Sequence, residues 1–385
     1  MNMNNHSVAL VSEHDTWISV DPVIGCPANC AYCYLGPLDL RNTRPSPRAS
    51  PSETASALLG YLFGRRAELI DPTTDGTPVC LGNYTDMLMT PRNREATVEY
   101  LEQIVGILPS MRPVILITKS SVPSDLVEAL DALEWPILWF FSQSFARDAR
   151  IPLEAGPVAS FATTLANARM ISGTRNQRAI HFWRPFVTEL SNGVHDEELT
   201  VNRLKESGMS CSVVVGPKLG PGVPVDDPRI VTHIPSGMKA AGNSDEVFDH
   251  AGWRRLAKIS RNVQYPLYRH TSCAIALNLG IKEYLGTWRP AMSPSRCLPC
   301  SCPRTQRSRC APTTEDQNGS HWRARISSFL GLSDELVTRD PQTGYLHVGA
   351  DVSEFDYNTI LHATKGLQEV IFHSIVAQKA WPGPW

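Results

Sequence analysis

The stretch Gly25-Cys26-Pro27-Ala28-Asn29-Cys30-Ala31-Tyr32-Cys33-Tyr34-Leu35 contains three cysteines in the spacing C-x3-C-x2-C. It follows Trp17-Ile18-Ser19-Val20-Asp21-Pro22, which reads as a short strand that ends at a turn. Thiolates are soft ligands that suit iron–sulfur clusters and zinc. A cubane with four irons normally takes four thiolates, so three cysteines leave one iron open to bind a small molecule.

Two other interpretations of these cysteines are a zinc knuckle and three unrelated buried thiols. Zinc sites usually combine a cysteine pair with a second cysteine or histidine pair at a defined distance. The nearest downstream cysteine is Cys80, which is far from that spacing. The sequence therefore favours the iron–sulfur interpretation.

This spacing after a strand resembles the radical S-adenosylmethionine (SAM) superfamily. The resemblance implies that Cys26, Cys30 and Cys33 hold a [4Fe–4S] cluster whose open iron chelates the amino and carboxylate groups of SAM. It also implies that an electron from the cluster cleaves SAM to a 5′-deoxyadenosyl radical, which abstracts hydrogen from a substrate. The reductant that it implies is a flavodoxin or ferredoxin.

The charge of the 385-residue chain is nearly balanced, at a formal −2 at pH 7. This balance disfavours a polymeric DNA or RNA substrate without excluding it. No apolar stretch reaches the length needed to cross a bilayer, and the N-terminus lacks a signal-peptide pattern, so we expect a soluble, cytoplasmic protein. In that compartment the ten cysteines indicate metal or redox use rather than disulfides.

Apolar strands alternate with amphipathic helices over residues 15–215, which predicts βαβ units and a parallel sheet. The predicted strands are Trp17–Val20, Pro78–Gly82, Val114–Thr118, Ile137–Ser142, Ala179–Trp183 and Ser212–Val215. The predicted helices are Glu53–Leu69, Arg92–Leu108, Ser124–Leu133, Pro157–Ile171 and Asp196–Ser207. Six strands match the partial barrel of radical SAM enzymes, so the expected fold class is α/β, a partial (β/α)6 TIM-like barrel. Ligands of such barrels bind at the carboxyl ends of the strands, where the cysteine loop lies.

We expect three regions: a barrel core over 1–215, a lid or connecting segment over 216–285, and a loop-rich auxiliary-cluster and cap region over 286–385. A helix is predicted over Glu246–Val263. Turn formers between two alternating runs predict a hairpin over Leu336–Val348. A further helix is predicted over Tyr357–Gln378.

A second cysteine group consists of Cys297, Cys300, Cys302 and Cys310. Four cysteines this close together can supply every corner of an auxiliary [4Fe–4S] cluster or of a structural zinc site. Cys302 is the odd member because C-x2-C-x-C is crowded, and Cys273 is the alternative ligand.

Several segments resemble the spore photoproduct lyase-like branch of radical SAM proteins, over most of residues 15–215. They are Asp21–Cys26, Cys30–Leu35 in the pattern C-x-Y-C-Y-L, Gly82–Asp86, Ile117–Ser120, Ser142–Ser144 and Arg184-Pro185. The branch uses a cysteine shortly before the strand-two aspartate as a hydrogen donor, and here Asn83 stands near that place. DNA photoproduct repair is therefore disfavoured.

The resemblance also implies a set of cofactor-binding and catalytic residues. The cofactor-binding candidates are Tyr32, Asn83, Ser142, Ser144, Glu154 and Arg184. Tyr32 would pack near the adenine, Ser142 and Ser144 would hold carboxylate or ribose oxygens of SAM, and Glu154 or Arg184 would hold its polar groups. The candidate hydrogen donors or redox relays are Tyr34, Tyr84 and Cys211. Structural roles are the alternatives, because a strand-end serine is often a turn former and Glu154 can cap the following helix.

The function that we expect is hydrogen abstraction from a small metabolite, such as a nucleoside or sugar in natural-product biosynthesis. An auxiliary [4Fe–4S] cluster would then serve sulfur insertion or oxidation. The first alternative is a nucleic-acid modifying enzyme of the lyase branch. The second is a non-catalytic iron–sulfur or zinc protein.

Overall fold

The computed structural model describes residues 8–144, 153–188, 194–217, 228, 246–284, 301–310 and 319–374, except positions 334 and 366. The strands are β1 (Val11–Glu13), β2 (Ile18–Val20), β3 (Val23–Ile24), β4 (Ser46–Pro47), β5 (Val79–Leu81), β6 (Val114–Thr118), β7 (Ile137–Gln143), β8 (Gln177–Trp183), β9 (Ser212–Val214), β10 (Leu267–Tyr268), β11 (Val337–Arg339), β12 (Leu346–Val348) and β13 (Val370–Phe372). The α-helices are α1 (Pro51–Phe63), α2 (Pro91–Ile107), α3 (Ser124–Asp131), α4 (Phe161–Ser172), α5 (Val194–Glu206), α6 (His250–Val263), α7 (Thr271–Leu279), α8 (Arg304–Cys310), α9 (Gly319–Leu330) and α10 (Glu354–Thr364).

The central sheet has eight strands in the order β1-β2-β5-β6-β7-β8-β9-β10. Only the β1–β2 pair is antiparallel among these described strands, and each later neighbour is parallel. Strand order therefore follows chain order, as expected when short strands are linked by right-handed crossovers through helices. This confirms an α/β fold with a mostly parallel sheet, while closure into a partial barrel stays a prediction.

The two faces of the sheet pack against different helices. Val114 and Leu116 of β6 join a core formed with α1 to α6, whereas Ile115 faces a second core that includes α7. This alternation follows from the two-residue period of a strand, and strands buried on both faces read as continuous apolar runs. The carboxyl ends of the parallel strands consequently meet at one edge, which is where the cysteine loop lies.

Several element boundaries differ from those expected. The predicted helix Glu53–Leu69 ends at Phe63, and a 3₁₀ turn over Arg65–Glu68 follows Gly64. Helix α6 begins at His250, because the Asp249 side chain caps it by accepting from the Gly252 N–H. The short strands β1 and β10 and the helix α7 were not expected.

The C-terminal region forms a three-stranded sheet in the order β11-β12-β13 with α9 and α10 packed on it. The predicted hairpin is confirmed, because Val337 pairs with Val348 in an antiparallel register. The predicted helix Tyr357–Gln378 is wrong beyond Thr364. Lys365 has a left-handed φ of 41°, which ends α10, and β13 then pairs in parallel with β12.

A buried network of charged groups joins this C-terminal unit to the central sheet. His362 of α10 contacts Glu13 of β1 with 2.5 Å between Nδ1 and Oε1, and its Nε2 lies 3.1 Å from the Asp15 carbonyl oxygen. Arg66 donates to Glu13 at 3.2 Å and to Asp75 at 2.6 Å. Leu69 and Ile70 belong to the apolar core of the C-terminal unit, so apolar packing reinforces the charged contacts.

None of the described helices combines the length and the apolar character that a membrane crossing needs.

Candidate functional site

The cysteine loop lies between β3 and β4, which pair in an antiparallel register. Gly25 enters the loop with φ +92°, and a Cβ at this position would lie 2.7 Å from Thr43 Oγ1. A glycine is therefore required by both backbone conformation and space. On the far side, the N–H groups of Asn29 and Ala31 donate to the carbonyls of Ala155 and Leu153 at 2.7 and 2.8 Å. Main-chain hydrogen bonds thus hold the loop on two sides.

Cys26 and Cys30 are buried, and Cys33 is half-buried. Burial raises the pKa of Cys26 and of Cys30 to about 12, so both thiols hold their protons in the absence of a cation. Cys26 Sγ also lies 3.8 Å from Met89 Sδ in an apolar surrounding. Three soft donors on one apolar loop fit an iron–sulfur cluster, whose positive irons offset the cost of forming buried thiolates.

In the part of the chain that the structure describes, no three Cys, His, Asp or Glu side chains converge on a point where one metal ion could sit. A cubane makes a different demand, because each of its thiolates binds a separate iron. The donor set of the loop is therefore compatible with a cluster.

Glu154 is fully buried beside the cysteine loop and accepts two hydrogen bonds on one oxygen. Its Oε1 accepts from the Tyr32 hydroxyl and, at 2.6 Å, from Lys119 Nζ. Its Oε2 is buried and has no hydrogen-bond partner among the described residues. An unsatisfied buried carboxylate oxygen is costly, which points to a missing donor at this place.

Helix capping does not explain Glu154. The cap of α4 is Ser160, whose hydroxyl oxygen accepts from the Thr163 N–H at 3.1 Å. Lys119, which follows β6 directly, was not among the expected site residues. A charged residue at the carboxyl end of a buried strand is the signal that could have identified it.

Two buried aspartates fix the strand ends around this site. Asp21 accepts from the N–H groups of Asn83 and Tyr84 at 2.6 and 3.1 Å, and burial raises its pKa to about 6. Asp86 accepts from the Lys119 N–H at 2.8 Å and the Thr118 hydroxyl at 2.9 Å, and burial raises its pKa as well. These carboxylates connect the loops after β2, β5 and β6.

Asn83 is engaged with protein groups on every side. Its Nδ2 donates to Ser19 Oγ, and its Oδ1 accepts from Cys80 Sγ at 3.4 Å. Its carbonyl oxygen accepts from the Tyr34 hydroxyl. The structure therefore gives Asn83 a role in orienting the loop, and SAM binding by this residue stays a prediction.

Tyr34, Tyr84 and Arg184 come together at the rim of the site. The rings of Tyr34 and Tyr84 meet edge to face with centroids 6.3 Å apart, and the Arg184 guanidinium carbon lies 5.6 Å from the Tyr34 ring centroid. The Tyr34 side chain is 39% exposed, so its ring is open to a ligand.

Ser142 and Ser144 are buried at the end of β7, next to Lys119. Lys119 Nζ lies 3.4 Å from the Ser142 carbonyl oxygen, which places this strand end beside Glu154. The structure thus gathers Tyr32, Ser142 and Glu154 around one lysine.

Cys211 lies away from this rim. It directly precedes β9, where Ser212 pairs with His181 of β8. At about 3.3 Å per residue, the level of Cys211 is roughly 13 Å along the strand from Arg184. The structure does not bring Cys211 and Tyr34 together, and a catalytic role for Cys211 stays a prediction.

The second cysteine group is described in part, because Cys297 and Cys300 lie outside the described residues. Cys302 Sγ accepts from the Tyr268 hydroxyl at 3.4 Å, and Cys310 Sγ accepts from Gln306 Nε2 at 3.3 Å. Cys302 lies before α8 and Cys310 ends it, so the two thiols stand on different sides of the start of this helix. Cys302 instead packs against the same apolar core as Cys273.

Comparison with known proteins finds similarity to solved structures alone, since no protein-family model and no curated protein matches the chain. One similar structure is a spore photoproduct lyase mutant with bound AdoMet and dinucleoside spore photoproduct. It is 14% identical with a TM-score of 0.48, over 66% of this chain and 76% of that chain. Another is spore photoproduct lyase complexed with dinucleoside spore photoproduct, at 13% identity and a TM-score of 0.48 over the same shares. Both belong to the enzyme whose branch the sequence motifs resemble.

Proposed function

We propose that this chain is a radical SAM enzyme that holds a [4Fe–4S] cluster on Cys26, Cys30 and Cys33. The observation that carries the proposal is the buried three-cysteine loop beside the unpartnered oxygen of Glu154. When bound, the cluster supplies the electron that cleaves SAM, and the resulting 5′-deoxyadenosyl radical abstracts hydrogen from the substrate.

Glu154 and Lys119 are the groups that we assign to the amino-acid end of SAM. That end carries an amino group and a carboxylate, and an amino group that binds the open iron still has N–H groups that can donate the hydrogen bond that Glu154 Oε2 lacks. Lys119 is already paired with Glu154 at 2.6 Å, so the carboxylate is held in place before the ligand arrives. Tyr32 donates to the same oxygen, Oε1, which leaves Oε2 without a partner among the described residues.

The substrate that we propose is a small metabolite bound at the rim formed by Tyr34, Tyr84 and Arg184. The formal charge of −2 supports a small molecule over a nucleic acid. A nucleic acid is the second candidate, because an exposed tyrosine ring can stack a base and a guanidinium can bind a phosphate. The resemblance also supports a one-electron reductant such as a flavodoxin or ferredoxin.

The auxiliary [4Fe–4S] cluster for sulfur insertion or oxidation remains part of this proposal. The proposed ligands are Cys297, Cys300, Cys302 and Cys310, and Cys273 is the alternative to Cys302, since both pack against the same apolar core. Structural zinc is the alternative for the same thiols. A non-catalytic metal protein would lack any SAM cleavage.

The decisive test is iron and sulfide analysis, EPR and 5′-deoxyadenosine assay on anaerobically reconstituted protein. We compare the wild type with the Cys26→Ala/Cys30→Ala/Cys33→Ala variant and use Cys80→Ala as a control for loss of a buried thiol. We expect about eight irons in the wild type and about four in the triple variant, with loss of SAM cleavage. About four irons in the wild type would remove the auxiliary cluster, and equal cleavage in both proteins would refute the proposal.

A further inference from the structure

Residues 39–48, which we call the arginine loop, follow the three cysteines and include β4. The loop carries Arg41, Arg44 and Arg48, and its one acidic residue is Asp39. Left-handed φ values of 56° at Asp39 and 58° at Asn42 give it tight turns. These turns, together with the contacts of Arg41, hold the loop against the cysteines.

The arginine heads of this loop have few partners. Arg44 and Arg48 are exposed, and neither forms an ion pair within the described residues. The acidic groups nearest to the loop are committed elsewhere. Glu53 accepts from the Ser50 N–H at 2.8 Å, and Asp21 is buried under its own hydrogen bonds. The loop therefore presents a local positive surface on a chain of formal charge −2.

This surface lies directly against the cysteines. Arg41 Nη1 donates to the carbonyl oxygens of Ala31 and Cys30 at 3.0 and 3.3 Å. The Thr43 N–H donates to the Cys26 carbonyl oxygen at 3.0 Å, and the Cys26 N–H donates to Leu40. The arginine loop and the cysteine loop are therefore joined by direct hydrogen bonds, so a protein that bound the arginine loop would lie close to the thiols.

We propose that the arginine loop is the docking surface for a small acidic one-electron carrier protein. The inference rests on the proposed function, because each reductive cleavage of SAM consumes one electron and yields methionine and one 5′-deoxyadenosyl radical. The reduced carrier loses that electron and leaves oxidised by one equivalent. Complementary charge steers such short-lived complexes and raises their association rate, while salt screens it.

A carrier protein suits this surface better than a nucleic acid does. Nucleic-acid binders usually show a strong basic excess and an extended basic stripe, whereas this chain has a sequence pI near 6.6. The two exposed arginines of one short loop, Arg44 and Arg48, match the acidic rim of a small partner. Binding of single-stranded DNA or RNA is therefore an outcome that the test must be able to detect.

The test uses the reconstituted full chain and the variant Arg44→Glu/Arg48→Glu. The matched control is Arg169→Glu/Arg175→Glu, which makes the same charge change at exposed positions near the amino-terminal edge of the sheet. We measure the Kd of an acidic flavodoxin, and 5′-deoxyadenosine formation driven either by reduced flavodoxin or by dithionite.

We expect the loop variant to bind flavodoxin about tenfold more weakly at low salt, with the same loss in flavodoxin-driven kcat/KM. The dithionite-driven rate of the loop variant should match that of the wild type, and the control variant should match the wild type in every assay. Added salt should reduce the difference in flavodoxin affinity between the loop variant and the wild type. Unchanged flavodoxin affinity in the loop variant, or no saturable binding by the wild type, overturns the docking surface. The docking surface is also overturned if the loop variant loses as much dithionite-driven activity as flavodoxin-driven activity. The same holds if the loop variant binds a single-stranded oligonucleotide more weakly while its flavodoxin affinity is unchanged. A wild type that binds flavodoxin but never cleaves SAM refutes the proposed function instead.

Discussion

Replacing Glu154 by glutamine tests the assignment of the unpartnered oxygen. The change keeps the shape of the side chain and an acceptor oxygen for Tyr32 or Lys119, but it removes the negative charge. A hydrogen bond to a charged group contributes about 1.5–3 kcal/mol. At about 1.4 kcal/mol per factor of ten, the affinity for SAM should fall roughly 10- to 100-fold.

The assay is equilibrium binding of SAM to reconstituted protein, with iron content measured on the same sample. Iron content should not change, because Glu154 is not a ligand in this scheme. Tyr32→Phe serves as the graded comparison, since it removes one donor to Oε1 and leaves the carboxylate charged. Its effect on SAM affinity should be smaller than that of Glu154→Gln. Wild-type affinity in Glu154→Gln, with full iron, would refute the reasoning.

Three further predictions concern the scaffold of the site. Gly25→Ala should lower the free energy of unfolding by about 1–3 kcal/mol and reduce iron retention, because φ at this position is +92° and the new Cβ would lie 2.7 Å from Thr43 Oγ1. The control in thermal unfolding is Gly76→Ala, where a Cβ would meet nothing within 4 Å. Equal losses of stability in the two variants would contradict the steric argument. Burial raises the pKa of Asp21 to about 6, so the folded state keeps a proton that the unfolded chain has released above roughly pH 4, and stability falls as pH rises through this window. In urea unfolding, the stability of Asp21→Asn relative to wild type should therefore rise by about 3 kcal/mol between pH 4 and pH 7. A stability difference that does not change with pH would exclude the titration of Asp21 in this range. Asp75→Asn should lower the free energy of unfolding by about 3–5 kcal/mol in the same assay, because the buried Arg66 and Arg112 lose the carboxylate that they share. A loss below about 1 kcal/mol would show that the network relaxes.

The central sheet could be predicted because its strands are apolar runs bounded by turns and separated by amphipathic helices. Val114–Thr118 matches its expected bounds, and the other five predicted strands overlap those observed. The two-residue strand β10 carries too little local signal, since its pairing with β9 depends on tertiary contacts. Residues 370–372 were expected to be helical because short apolar runs suit either state until a partner strand is known.

The cysteine loop could be predicted from spacing alone, but its supporting carboxylates could not. Asp21 and Asp86 act through hydrogen bonds to groups distant in sequence, and no local pattern reveals such contacts. Lys119 lay within a quoted segment, yet its pairing with Glu154 joins positions 35 residues apart. For the second cysteine group, the spacing predicted the four candidate ligands, and the set stays a prediction because only Cys302 and Cys310 of the four lie among the described residues.

The contact between β1 and α10 has a consequence for dissecting the molecule. Both ring nitrogens of His362 contact oxygen atoms of the amino-terminal segment, Nδ1 the Glu13 carboxylate and Nε2 the Asp15 carbonyl oxygen. A fragment that ended before α10 would remove the imidazole that contacts the buried Glu13 carboxylate and open the apolar surface around Leu69 and Ile70 to water. Strand β1 and helix α10 should accordingly unfold in one cooperative transition. Limited proteolysis should release no stable core that lacks α10.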